Sequence, residues 1–125
     1  MSLVDASVLI DHLRGHEPAV DLLDRLIARD DGPATSEVVR FEVLAGMRPD
    51  EAEATEGLFA AFDVIPITES ITRRAATLAR EFRPGHSGIG TADYLIAATA
   101  QRYGLHLITR NTRGFPMISG LEPPY

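Results

Sequence analysis

Three acidic residues lie inside otherwise apolar stretches of this sequence, where packing gives no reason for a charge. Asp5 divides an apolar segment near the start of the chain, Glu42 interrupts a second, and Asp93 leads directly into a third. Acidic side chains are rarely buried unless they are paired or bind a metal. Carboxylates that converge without neutralising cations are the usual ligands of Mg²⁺ or Mn²⁺. The sequence therefore predicts a metal-dependent phosphodiesterase.

Several polar residues could assist such a centre. Ser7, two positions after Asp5, could hydrogen-bond a carboxylate or the phosphate, and Asn111 could supply a neutral amide. The remaining candidates are the hydroxyls of Thr91 and Thr109, which could support the metal ligands, and the guanidinium groups of Arg110 and Arg113, which could contact RNA phosphate.

Each acid also has a simpler interpretation. Asp5 could cap a helix, Glu42 could lie on a solvated helix face, and Asp93 could complement a helix dipole. The order and local sequence of all three together favour the metal centre over three independent structural roles.

The composition restricts the class of protein. With 125 residues, 45% hydrophobic, we expect a single domain over residues 1–125. The chain has no cysteine, which excludes disulfides and thiolate metal sites. We see neither a membrane-spanning apolar run nor a signal peptide, so we expect a cytoplasmic protein with no membrane partner.

The charged residues exclude further activities. The net charge of −6 argues against a general nucleic-acid-binding protein but not against a nuclease, because a bound metal offsets an acidic cluster locally. All 12 basic residues are arginine. A P-loop and a Schiff-base enzyme both need a lysine, so both are excluded.

The apolar and turn patterns predict strands alternating with helices. We predict strands at 2–5, 33–35, 63–67 and 105–109, with a possible short fifth strand at Met117-Ile118. The first two predicted helices follow Asp5 and cover residues 17–30, and the last runs from Thr91 to Gly104. Three further helices are predicted to begin after the caps Ser36, Asp50 and Thr68. The helix after Asp50 is predicted to extend to about Phe62, with a capping box formed by Asp50 and Glu53. This alternation indicates an α/β domain with a mostly parallel sheet of four to five short strands.

The predicted topology can bring the acids together. Ligands of parallel sheets bind beyond the carboxyl ends of the strands. Asp5 ends the first strand, and Asn111 follows the strand that ends at Thr109. We expect Glu42 and Asp93 in the first turns of helices that start near the same edge.

The chain resembles a PIN domain, and most closely the VapC-type ribonuclease toxins of bacterial toxin–antitoxin pairs. Four segments in order carry this resemblance, and together they span nearly the whole chain: Leu3-Val4-Asp5-Ala6-Ser7-Val8-Leu9-Ile10, then residues 35–46 with Glu42, residues 91–100 with Asp93, and Leu107-Ile108-Thr109-Arg110-Asn111-Thr112-Arg113-Gly114-Phe115.

The resemblance implies a three-layer α/β/α sandwich and Mg²⁺- or Mn²⁺-dependent endoribonuclease activity. It assigns Asp5 and Asp93 as the principal metal carboxylates, with Glu42 binding the ion directly or through water. It also implies a homodimer and a cognate antitoxin that forms a hetero-oligomer with the toxin and blocks the acidic pocket, often with a basic side chain.

One position departs from the family pattern. Many relatives carry a fourth acid just before the phenylalanine of the closing motif, where this chain has Gly114. The departure leaves two hypotheses: one-metal catalysis, with a second ion bound only alongside substrate phosphate, or a catalytically weak or inactive PIN-fold module that binds RNA or a protein partner.

Overall fold

A parallel sheet forms the centre of the molecule. The computed structural model describes residues 1–29 and 32–125. The strands of the described residues are β1 (Ser2–Val4), β2 (Pro33–Ser36), β3 (Asp63–Ile65) and β4 (His106–Ile108), in the order β3-β2-β1-β4. All neighbouring pairs are parallel, which confirms the predicted sheet.

The predicted fifth strand is wrong. Met117 and Ile118 lie in turns, and the Ile118 N–H donates to the Phe115 carbonyl at 3.1 Å. The side chain of Met117 is nevertheless buried, so the apolar pair packs on the core without extending the sheet.

Helices connect the strands, as parallel pairing requires. They are α1 (Ala6–Leu13), α2 (Glu17–Ile27), α3 (Glu37–Gly46), α4 (Ala52–Phe59), α5 (Glu69–Phe82) and α6 (Thr91–Tyr103). Short 3-10 turns occupy Pro49–Glu51, Arg83–Gly85 and Thr112–Gly114. None of the helices in the described ranges has the length and apolar character of a membrane span. Asp30 and Asp31, predicted to lie in a helix end and a turn, fall outside the described residues.

Two predicted helix caps are confirmed. The Ser36 hydroxyl accepts a hydrogen bond from the Val38 N–H at 3.0 Å, and the Thr68 hydroxyl accepts one from the Ile71 N–H at 3.3 Å. Such bonds satisfy amides that have no partner within the first helical turn.

The capping box predicted for Asp50 and Glu53 is wrong. Glu51 instead accepts a hydrogen bond from the Arg48 N–H at 2.7 Å and pairs with Arg14. Pro49 starts a 3-10 turn with Arg48 as its N-cap, so helical structure begins two residues earlier than predicted. Helix α4 ends at Phe59 rather than Phe62.

The central strand is covered on both faces. Leu3 and Val4 are completely buried, and successive side chains of a strand point to opposite faces. Helices therefore pack on both sides of the sheet, as in a three-layer α/β/α sandwich. This burial fixes β1 between its neighbours, with Leu3 opposite Ala34 and Leu107.

The strand pairing places two predicted site residues side by side. β1 and β4 are neighbours, and each is followed at once by a polar residue, Asp5 and Thr109 respectively. The Asp5 N–H donates to the Ile108 carbonyl at 2.9 Å, which extends the ladder by one bond. Both side chains consequently emerge at the same carboxyl edge.

Candidate active site

A chain of hydroxyls and amides converges on Asp5. The Thr109 hydroxyl donates to Asp5 Oδ2 at 2.7 Å, and the Ser7 hydroxyl lies 3.4 Å from the Thr109 oxygen. Thr109 donates its one proton to Asp5, so it cannot also donate to Ser7; the single proton of Ser7 has two acceptors within reach, Thr109 Oγ1 and the Asp5 carboxylate. The Arg110 N–H donates to Ser7 Oγ at 3.1 Å, and the Asn111 N–H donates to Thr109 Oγ1 at 3.0 Å. We call Asp5, Ser7, Thr109 and these two amides the strand-end cluster.

Asp5 is a buried acid that has hydrogen bonds but no counter-ion in the part of the chain that the structure describes. Its exposed fraction is only 6%, and burial raises its pKa above the ordinary value. Hydrogen bonds from Thr109, the Ala6 amide and Ser7 act in the opposite direction by favouring the charged form. The strand-end cluster thus replaces part of the hydration that the carboxylate loses on folding.

Asp93 lies in the first turn of α6, as predicted. Its carboxylate accepts a hydrogen bond from the Gly90 N–H at 3.4 Å, and its first-turn position also suits the helix-dipole role given above as the simpler interpretation. Burial raises the pKa of Asp93, the Gly90 amide lowers it, and the charge of Asp5 raises it further. Asp93 therefore both caps its helix and faces Asp5.

Glu42 lies one turn further along its helix than predicted. It is the sixth residue of α3, which begins at Glu37, so it occupies the second turn. Among the described residues its carboxylate has no hydrogen-bond partner. Burial, then the charge of Asp5, then that of Asp93 raise the pKa of Glu42 to about 7. We call Glu42 and Asp93 the helix carboxylates.

The charge of Asp5 acts on both helix carboxylates, and the charge of Asp93 acts on Glu42. The structure records ion pairs for several surface acids, but in residues 1–29 and 32–125 none joins Asp5, Glu42 or Asp93 to an arginine. Burial is the main cause of the raised pKa of all three acids, and like charges add to it for Glu42 and Asp93. Across the same ranges, no group of three or more His, Asp or Glu side chains is drawn together closely enough to hold an ion as it stands. The three carboxylates offer only oxygen donors, which fit a hard divalent cation in chemistry.

Asn111 and Gly114 form a close pair in the loop after β4. A Cβ added at Gly114 would contact Asn111 Nδ2 and lie 3.0 Å from Asn111 Cγ. The Asn111 side chain therefore occupies the space that a larger residue at position 114 would need. The small residue at position 114, where many relatives carry an acid, thus leaves room for the Asn111 amide.

The remaining predicted site residues are not part of the strand-end cluster through their side chains. Thr91 is exposed at the first position of α6, where it lines a largely apolar groove of about 690 Å³ between α5 and α6. Arg110 directs its guanidinium to Asp11, at 2.8 Å. Arg113 is exposed in the Thr112–Gly114 turn and has no partner within the described part of the chain.

Sequence reasoning missed two residues near the site. Asp11 accepts hydrogen bonds from Arg110 and from the Tyr125 hydroxyl, the latter at 2.6 Å. The spacing of Ser7 and Asp11 by four positions, which puts both on one face of α1, could have indicated Asp11. No pattern in the sequence points to Tyr125.

Comparisons with known proteins agree over the whole chain. The model of the PIN domain family matches residues 2–121. The chain is 47% identical to ribonuclease VapC19 of Mycobacterium tuberculosis over 125 residues, covering all of both chains. It is 48% identical over 126 residues to ribonuclease VapC10 of the same organism, covering all of this chain and 93% of that relative. A chain of a toxin–antitoxin complex from Klebsiella pneumoniae superposes with a TM-score of 0.83 and 32% identity, covering 100% of this chain and 98% of the other.

Proposed function

The chain belongs to the PIN-domain family, as a VapC-type ribonuclease toxin, and we propose that it hydrolyses RNA at a centre formed by Asp5, Glu42 and Asp93 with Mg²⁺ or Mn²⁺. The single observation that carries this assignment is the set of three carboxylates that are linked by the charge effects of Asp5 and Asp93 and have no arginine partner in the described residues. Structural acids are normally paired or solvated, and these are neither fully paired nor fully solvated.

The proposed ligands match a hard cation. Mg²⁺ and Mn²⁺ prefer carboxylate and water oxygens, and the three acids offer only oxygen donors. Asp5 and Asp93 would be the principal ligands, with Glu42 binding directly or through water. When bound, the ion would offset charge that develops on the RNA phosphate and lower the pKa of the attacking water. With Gly114 in place of a fourth acid, the protein groups support one ion, and a second would need the substrate phosphate.

The protein groups around the acids would act by orientation. The Thr109 hydroxyl holds Oδ2 of Asp5, and Ser7 and the Ala6 amide also hydrogen-bond this carboxylate. Fixed dipoles of this kind need no rearrangement when charge develops during the reaction. The strand-end cluster therefore supports a preformed position for one of the three carboxylates.

Contacts to the RNA backbone would come mainly from the mouth of the site. Arg113 is exposed and lacks an acidic partner in the described ranges, so its charge is available to a phosphate. The guanidinium of Arg110 is engaged by Asp11, which makes Arg110 a weaker candidate. The Asn111 amide and the Thr91 hydroxyl are neutral groups that we propose as substrate contacts.

An antitoxin and a second copy of the chain are the proposed protein partners. The toxin–antitoxin complex with a similar fold supports the first of these. A basic antitoxin side chain would satisfy the unpaired carboxylates. We propose that the complex acts in the cytoplasm as a hetero-oligomer built on a toxin homodimer.

Cleavage of RNA by the purified chain tests the catalytic assignment. We expect activity that requires Mg²⁺ or Mn²⁺ and is abolished by EDTA. The Asp93→Asn variant should lose activity by roughly 100-fold or more, since a charged group at the reacting centre is removed. The matched control is Asp21→Asn, which removes the same charge from an exposed position of α2 and should retain full activity.

Two results would contradict the proposal in different ways. Retained cleavage in a folded Asp93→Asn protein would show that the three acids are not the catalytic centre. Absence of both cleavage and Mn²⁺ binding in the unmodified chain would instead support the alternative function, a PIN-fold module that binds RNA or a protein without catalysis.

A further inference from the structure

Asp11 joins three distant parts of the chain at the rim of the site. Its carboxylate accepts hydrogen bonds from Arg110 Nη1 at 3.1 Å and 2.8 Å, one to each oxygen. The Tyr125 hydroxyl donates to Asp11 Oδ2 at 2.6 Å. The Tyr125 ring also contacts that of His16, with centroids 5.4 Å apart. We call Asp11, the Arg110 side chain and Tyr125 the rim cluster.

The rim cluster and the strand-end cluster share one residue. Arg110 binds Asp11 through its side chain and Ser7 through its backbone N–H. Ser7 and Asp11 are four positions apart on α1, so the helix presents both to the same loop. The loop after β4 is thereby attached to α1 at two points, Asp11 and Ser7. The attachment at Ser7 lies beside the Asn111 amide that holds Thr109, the residue that donates to Asp5.

We propose that Asp11 and Tyr125 are positioning residues, which hold Arg110 so that the amides of residues 110 and 111 stay on Ser7 and Thr109. Neither residue contacts the three acids, so their effect reaches Asp5 only through the loop. This inference rests on the proposed function for its consequence in catalysis, but the geometry of the loop can be tested without it.

The rim cluster is suited to local positioning rather than to global stability. The Arg110 side chain is 55% exposed, and exposed ion pairs contribute little to the free energy of unfolding. The Asp11 side chain is 18% exposed, so its bonds are better shielded from water. Burial and then the bond to Asp11 raise the pKa of Tyr125, which keeps its hydroxyl protonated as a donor at neutral pH.

Amide hydrogen exchange in the metal-free chain tests the positioning directly. In Tyr125→Phe and Asp11→Asn, we expect the Arg110 and Asn111 amides to exchange about fivefold faster, because their local opening becomes easier. The Asp5 amide, bonded to the Ile108 carbonyl, is the internal reference for global opening and should not change. Tyr103→Phe is the control, since Tyr103 is an exposed tyrosine at the far end of α6 and should leave all these amides unchanged.

Kinetics of RNA cleavage test the consequence for the site. We expect Tyr125→Phe to raise the Mn²⁺ concentration for half-maximal activity about threefold, with kcat at saturating Mn²⁺ unchanged within about twofold, as for loss of a weak positioning contact. The double variant Asp11→Asn/Tyr125→Phe should be no worse than Asp11→Asn alone, because Tyr125 acts through Asp11.

Unchanged exchange of both loop amides in Asp11→Asn would overturn the inference. So would additive effects of the two substitutions on the Mn²⁺ requirement. If the unmodified chain does not cleave RNA, the proposed function fails, yet the exchange experiment still decides whether the rim cluster positions the loop.

Discussion

The strand-end cluster and the helix carboxylates are held in different ways. Asp5 receives a 2.7 Å hydrogen bond from Thr109, which is itself fixed by further donors. Asp93 receives one long bond of 3.4 Å from the Gly90 amide, and Glu42 receives none from the described residues. The strand-end cluster is therefore preorganised by hydrogen bonds, whereas the helix carboxylates have little support and lie within electrostatic range of like charges.

This difference follows from the elements that carry the residues. Asp5 and Thr109 leave neighbouring strands whose ladder fixes both backbones, so short hydroxyl bonds can form between them. Glu42 and Asp93 project from separate helices, and each brings a charge that raises the pKa of another acid. The strand-end cluster supplies position, whereas the helix carboxylates supply the negative charge that the proposed cation would offset.

Removing the Thr109 hydroxyl should have the largest effect on the strand-end cluster. Thr109→Val keeps the shape of the buried side chain but leaves Asp5, Ser7 and the Asn111 amide without their shared partner. We expect the free energy of unfolding at pH 8 to fall by about 2–3 kcal/mol, since buried polar groups lose their hydrogen bonds. Urea denaturation measures this change, and RNA cleavage should fall with it.

Thr109→Ser is the matched control for that experiment. It keeps the hydroxyl and loses only a methyl group, so its free energy of unfolding should fall by only about 1 kcal/mol. Equal losses in the two variants would mean that packing, and not the hydroxyl chain, stabilises this part of the site.

The contrast between site residues on strands and site residues on helices also explains what could be predicted from the sequence. The meeting of Asp5, Ser7 and Thr109 follows from a general rule, because parallel strands end at one edge and polar residues after them must lie together. Helices allow less precision: Glu42 was expected in the first turn and lies in the second.

Contacts that depend on tertiary packing could not be predicted. Tyr125 and Asp11 are 114 positions apart, and no periodicity connects them. The strand predicted at Met117 failed for a related reason, since an apolar pair can be buried by a turn as well as by a strand. The capping error at Asp50 arose because Glu51 offered an equally good acceptor one residue away.

Neutralising Glu42 should stabilise the metal-free protein in a pH-dependent way. The folded-state pKa of Glu42 is about 7, raised from 4.5. Folding therefore favours the protonated form, and this contribution to stability, complete below pH 4.5, is lost as the pH rises through 7. Glu42→Gln does not ionise, so it should unfold at the same temperature as the unmodified chain at low pH and at a higher one at pH 8.

The expected gain is moderate because Glu42 is only half-buried. After allowance for solvent screening, we expect about 1 kcal/mol, or roughly 3–5 °C in Tm at pH 8 in EDTA. Glu56→Gln, at an exposed position of α4, is the control and should show no such pH dependence. A lower Tm for Glu42→Gln at pH 8 would mean that a partner stabilises the ionised Glu42 carboxylate, and that burial and nearby like charges do not destabilise it.

Substitutions at Gly114 should have the smallest effect on folding. They test how many ions Asp5 and the helix carboxylates can hold. A side chain there must displace the exposed amide of Asn111, which is a flexible group, so Gly114→Ala and Gly114→Asp should both change the free energy of unfolding by only about 0.5 kcal/mol. Gly114→Asp adds a carboxylate, whereas Gly114→Ala adds only a methyl group. If the helix carboxylates and Asp5 hold one ion and lack a ligand for a second, Gly114→Asp should add a second Mn²⁺ in calorimetry of the RNA-free protein, and Gly114→Ala should not. Binding of two ions by the unmodified chain would show that three carboxylates already suffice for both, and one-metal catalysis would then be wrong.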